Sequence, residues 1–255
     1  MLINENFIIQ TKVAIFFIKL KKIIYLKKKI MKKLRSFSML FLLFVLATSC
    51  SNSDSPTAPS LSTGDYWPTA INNIWNYNDG TTQTPMKIIS SNAGYFLFDN
   101  FIGNTASGGI TAIAPVSIKK DNGDYYIKYG TIQIAGAYTG TMTGFEAILL
   151  KDYLAVGGTW SSNYSQTTNL NGLPSTTSNT TVNGTIMETG VSLLVSGVTY
   201  TNVIHVKYLM STNTQGSISN SENHYWFSKN VGLIKYTNVT PTFTRTTLLT
   251  SYTLN

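Results

Sequence analysis

Three residue types in this chain invite chemistry: one cysteine, two histidines and a thin scatter of carboxylates. Cys50 directly follows two small residues, Thr48 and Ser49, and an accessible thiol there is a nucleophile that can be alkylated to a thioether. As the single cysteine it excludes an internal disulfide and any multi-thiolate metal site. His205 and His224 become cross-strand neighbours if residues 210–223 close a hairpin. Two imidazoles without a third ligand make an incomplete zinc set, so neither a metal nor a cofactor is expected. Asp121 and Asp124 bracket Asn122-Gly123 and read as turn residues rather than as the paired acids of a glycosidase. The chain has no Gly-x-Ser-x-Gly elbow, no Gly-x-Gly-x-x-Gly and no phosphate loop. A Ser-His-Asp set is defined in space and cannot be read from order. The census assigns no catalytic residue and weighs against an enzyme.

The charge is unevenly placed. The formal net charge is +8, but ten of the 19 basic residues and one of the 11 acids lie in residues 1–50. That leaves nine basic and ten acidic residues, a net −1, in residues 51–255. The basic excess belongs to the leader, so nucleic acid is not an expected partner. From Met31 the leader has a tripartite form: Lys32, Lys33 and Arg35, then the apolar run 39–47, then Thr48-Ser49-Cys50. This is the layout of a secretory signal over 31–49. The run is far shorter than the roughly 20 residues that span a bilayer as a helix.

Leu46-Ala47-Thr48-Ser49-Cys50 resembles the bacterial lipobox, with Ala47 where that motif prefers Leu. The resemblance implies that Cys50 is lipidated, carries palmitate-type acyl chains and becomes the first mature residue. It implies the membrane as a partner, through the lipid anchor. One acyl chain, at about 0.8 kcal/mol per buried methylene, binds marginally, whereas two or more hold stably. Residues 1–30 precede a signal that is already complete, and translation is expected to begin at Met31. Residues 50–64 form the lipidated cysteine and a Ser/Pro/Thr-rich flexible tether. Ser51 is not the aspartate that retains some enteric lipoproteins at the inner membrane, so the outer membrane is the expected location, on either face. Asp54 faintly echoes the acidic run of surface-exported Bacteroidota-type lipoproteins.

Residues 65–255 read as one all-β domain: short β-branched and aromatic runs between turn signals, with little helical periodicity. Expected strands are Ile74–Tyr77, Met86–Ile89, Tyr95–Phe98, Val116–Lys120, Tyr125–Tyr129, Phe145–Leu150, Thr181–Glu188, Ser192–Val195, Tyr200–Leu209, His224–Ser228, Leu233–Tyr236 and Thr246–Leu254. Asn122-Gly123 is the strongest hairpin signal and Asn78-Asp79-Gly80 another. A short helix competes only over Phe145–Leu154, and Ser161–Asn183 is either a long hairpin or a loop. The expected architecture is antiparallel, a curved sheet or half-barrel, or a sandwich. Alternation turns Ile204, Val206 and Tyr208 inward and Val203, His205 and Lys207 outward. Trp75, Trp160 and Trp226 are expected core anchors, and Gly232 a bulge or close approach.

Tyr66-Trp67-Pro68 with Asn73-Ile74-Trp75-Asn76-Tyr77 is similar to the opening of many uncharacterised bacterial lipoproteins, whose Gly-Asn-x-Trp-x-Tyr has glycine where Asn72 stands. Tyr225 to Lys235 resembles the Val-Gly-Leu-Val-Lys hairpin of the same group, and Val156 to Trp160 is an echo of the first element. The resemblance implies an all-β extracytoplasmic domain and transfers no catalytic residue. The expected role is a non-catalytic binding or carrier module with its ligand in a concave apolar face. The alternative is surface recognition of glycan or protein through Tyr125 and Tyr126, and a hydrolase is the weaker third reading.

Overall fold

The structure, a computed structural model, describes residues 62–102, 105–107, 110–240 and 242–255, with the backbone alone at 105–107 and 110. Cys50, the signal segment 31–49, residues 1–30 and the tether as far as residue 61 lie outside them. The described residues contain no helix. Their strands are β1 (Ile74–Asn78), β2 (Gln83–Asn92), β3 (Tyr95–Phe98), β4 (Thr105–Ser107), β5 (Ile110–Ile113), β6 (Val116–Asp121), β7 (Asp124–Tyr129) and β8 (Ile132–Gly136). They continue with β9 (Gly140–Met142), β10 (Phe145–Lys151), β11 (Thr159–Leu170), β12 (Thr176–Val195), β13 (Val198–Thr214), β14 (Ser217–Ser228), β15 (Gly232–Val239) and β16 (Thr244–Thr253).

All these strands join one antiparallel sheet, in the order β10-β7-β6-β3-β2-β1-β16-β15-β14-β13-β12-β11-β9-β8-β5-β4. The all-β, antiparallel reading is therefore what the chain builds. Phe145–Lys151 is strand rather than helix, and Ser161–Asn183 falls in the β11–β12 hairpin. β4, β5, β8 and β9 were not foreseen: they are short and rich in Thr, Ala and Gly, which carry little alternation. The Asn122-Gly123 turn has φ of 49° and 93°, the positive pair that a tight hairpin needs. Ser196-Gly197 and Gln215-Gly216 turn β12–β13 and β13–β14 with the same signs. Asn72, standing at the place of the expected glycine, has φ 72°, a left-handed conformation that asparagine tolerates.

The sheet is not closed by a ladder, but it curls until β10 meets β11. There two side chains do the joining: the Trp160 indole donates to the Ile148 carbonyl (3.0 Å), and the Ser162 hydroxyl accepts from the Ile148 amide (3.2 Å). Phe145 of β10 stacks on Tyr164 of β11 at 4.2 Å and on Tyr129 of β7 at 4.7 Å, which continues the join inside. Aromatic rings pack against one another in the core. Trp67 packs on Trp75, Phe98, Phe101 and Phe227 with centroids 5.8–6.5 Å apart.

Trp75 and Tyr77, fully buried on β1, reach the start of β15: the indole donates to the Val231 carbonyl and the phenol to the Leu233 carbonyl, each at 2.7 Å. Between these carbonyls Gly232 has φ 108°, and a Cβ there would meet Trp75 Nε1 at 3.3 Å. Of the bulge or close approach expected at Gly232, the close approach is what it makes; Gly232 pairs regularly with Ser228, and the β14–β15 register shifts two residues on, at Ile234. Ile204, Val206 and Tyr208 do face inward. Val203 does not stay outside: it is fully buried, as is its register partner Ser228 on β14.

Residues 62–66 are bolted to the domain. The Tyr125 hydroxyl accepts from the Tyr66 amide (2.8 Å) and lies 3.1 Å from the Gly64 carbonyl. Buried Asp152 takes the Thr63 amide at 3.2 Å and the Ser62 hydroxyl.

Candidate functional site

The side chains with the most chemistry gather on the outer face of β12 to β15. His205 and Trp226 are register partners across β13–β14, and Lys207 pairs with His224, so the two imidazoles are diagonal neighbours on one face. The hairpin that the sequence made conditional does form. His205 Nε2 and His224 Nδ1 are 2.8 Å apart. The outer nitrogens face carboxylates: His205 Nδ1 is 3.2 Å from Glu188 Oε2, and His224 Nε2 is 2.6 Å from Glu222 Oε1. Glu222, His224 and Trp226 share the face because they alternate along β14. Glu188 comes in from β12, where register shifts on both sides of it bend the strand.

This four-group line has a proton count. With both carboxylates ionised, three contacts need three protons, and two neutral imidazoles bring two. If both outer nitrogens donate to the carboxylates, the inner nitrogens meet lone pair to lone pair, and a cation must lie between them. Burial holds the His205 imidazole below its ordinary value, the neighbouring His224 and Lys235 add to this, and Glu188 pulls the other way. Trp226 is not a core anchor like Trp75 and Trp160. It is half-buried on the outside, stacked on His205 at 4.2 Å and 12°, with Lys235 Nζ 4.3 Å from its ring centre. Its register partners on either side explain this position, His205 on β13 and Lys235 on β15.

Beyond Glu222 the same face holds a groove of about 420 Å³, walled by Leu209, Met210 and Val239 with Asn183 and Asn220. A second outer groove, about 460 Å³, lies over β2, β3 and β6 beside Tyr95, Ser117 and Lys128. Tyr126 faces out near it, with Lys119 Nζ 4.6 Å from its ring and 5.2 Å from that of Tyr95. Tyr125 points inward and serves the bolt, so the two tyrosines proposed together for recognition divide between surface and core. Burial, then the hydrogen bond to Glu146 (2.6 Å), pushes the Tyr95 phenol up to about 12. Asp124 pairs with Asp121 across the Asn122-Gly123 turn, and its carboxylate also meets Lys151 of β10 at 2.5 Å.

The sequence singled out the histidines but not Glu188, Glu222 or Lys235, and it placed Trp226 in the core. The Glu-x-His-x-Trp alternation of β14 was the available signal. No such signal exists for Glu188, whose place depends on the bend.

No family model matches the chain, and no curated protein matches it. Two solved structures are similar. One is a candidate lipoprotein from Parabacteroides distasonis, 11% identical, covering 74% of this chain and 99% of its own, with TM-score 0.49. The other is a candidate exported protein with a YmcC-like fold from Bacteroides fragilis, 7% identical, covering 75% of this chain and 100% of its own, with TM-score 0.34.

Proposed function

We propose that this chain is an extracytoplasmic lipoprotein of the outer membrane, anchored through Cys50, whose β domain is a non-catalytic binding module. The observation that carries the reading is the lipobox-like Leu46–Cys50 at the end of a charged-then-apolar leader. A thiol in that setting has a chemical use that a lone core cysteine lacks. The ligand is engaged on the outside of the sheet, because the inner face is packed with Trp, Phe and Tyr rings and the grooves at Leu209 and Tyr95 open outward. This favours surface recognition over carriage of a lipid in the concave face.

Metabolic labelling with a fatty-acid analogue tests the anchor. The parent chain is expected to take up label and fractionate with membranes, and Cys50→Ala to lose both. An unlabelled parent overturns the proposal. A loss of membrane association with label retained would place the acylation elsewhere and overturn the role of Cys50.

A further inference from the structure

The geometry at His205 and His224 goes beyond the anchored binding module and holds whether or not Cys50 is acylated. Each outer nitrogen is turned to a carboxylate, the arrangement that orients imidazoles in metal sites by fixing the tautomer and raising the basicity of the free nitrogen. The two inner nitrogens, Nε2 of His205 and Nδ1 of His224, face each other in a hydrogen bond of 2.8 Å. We propose that they form a two-histidine site for a divalent transition cation of the zinc and copper class, taken up in place of the hydrogen bond between them.

Imidazole nitrogen suits these borderline cations and not magnesium or calcium, which want oxygen. The nitrogens stand 2.8 Å apart, the separation of an N–H···N bond. A tetrahedral cation with bonds of about 2.0–2.1 Å needs them about 3.3 Å apart, so they must part by about half an ångström. The rings lie at the outer face, His205 13% and His224 18% exposed, and each must turn within its carboxylate contact to give this. Among the described residues no three His, Cys, Asp or Glu gather as a metal-holding group, so the protein supplies two ligands and water the rest. Four charged groups face the site: Glu188 on β12, Lys207 on β13, Glu222 on β14 and Lys235 on β15. The carboxylates offset the lysines and sit on the ligands themselves. The exchange balances simply: the hydrogen bond between the imidazoles breaks, its proton is carried instead by an outer nitrogen facing a carboxylate, two nitrogen–metal bonds form, and displaced water returns to bulk.

The test uses the full chain in detergent, with Cys50→Ser so that its thiol does not compete. Zinc, copper and magnesium chlorides are titrated at mildly alkaline pH by calorimetry, with tryptophan fluorescence alongside. Saturable binding of zinc and copper and no magnesium binding are expected. Copper should quench fluorescence, since Trp226 stacks on a ligand, and Trp226→Phe should keep the binding while losing that part of the quenching. His205→Gln and His224→Gln should each weaken binding at least about tenfold, and Glu222→Gln by about tenfold through the outer shell. Absence of saturable zinc or copper binding would mean that the pair holds only a proton, and overturns the proposal. So does unchanged affinity in a folded His224→Gln chain.

Discussion

Replacing Trp75 gives the sharpest test of how the domain is held. The side chain is fully buried, edge-on to Trp67 at 6.5 Å and to Phe98 at 6.3 Å, and its indole is the donor to the Val231 carbonyl. Trp75→Ala leaves a cavity among rings that cannot collapse into it, a loss of about 3–5 kcal/mol. The upper end is expected, because the Val231 carbonyl loses its donor as well. Trp75→Phe separates the two effects: most of the ring stays and the N–H goes, at about 1–3 kcal/mol for a buried acceptor left unpaired. With a urea slope of about 2 kcal/mol per molar, the midpoints should fall by about 2.5 M for alanine and about 1 M for phenylalanine. Equilibrium unfolding followed by circular dichroism reads both. Midpoints of both variants within error of the parent would refute the reasoning, and equal losses would show that the hydrogen bond carries the whole effect.

Three other outcomes follow from separate places in the fold. Tyr125→Phe removes the hydroxyl that accepts from the Tyr66 amide, and should cost about 1–3 kcal/mol, with faster amide exchange confined to residues 62–66. Gly184→Ala sets a Cβ against the Trp160 indole rings and should destabilise by about 1–3 kcal/mol, read as a lower thermal midpoint. The Tyr95 phenol is raised from 10.0 to about 12, so its contribution is whole below pH 10 and is lost as pH rises through 12. A tyrosinate difference spectrum against Tyr95→Phe should show this late titration, and Glu146→Gln should bring it to lower pH.

Much of the fold was legible because its core strands obey simple rules. Ile204, Val206 and Tyr208 alternate with His205 and Lys207, and the turn at Asn122-Gly123 announces itself by residue type. The short strands β4, β5, β8 and β9 were not legible, since Thr, Ala and Gly runs lack the apolar contrast that marks a face. Trp226 was misassigned to the core because residue type alone cannot tell which side of a strand is covered; its register partners decide that. The histidine pair could be anticipated from two runs that might pair as a hairpin. Glu222 follows from the Glu-x-His-x-Trp alternation of β14, but Glu188 does not, because its position is set by register shifts in β12 that no local residue pattern encodes.

The side-chain join at Ile148 has a consequence for how the molecule behaves among its own copies. An uncapped border strand offers free amides and carbonyls on which a foreign strand can crystallise. Here the Ile148 amide and carbonyl are already spoken for by Ser162 and Trp160, so that stretch of β10 is closed to recruitment. Trp160→Phe reopens one of the two groups while keeping a ring in place. Its first symptom should be concentration-dependent association of still-folded protein, visible by light scattering well below the temperature at which the sheet melts.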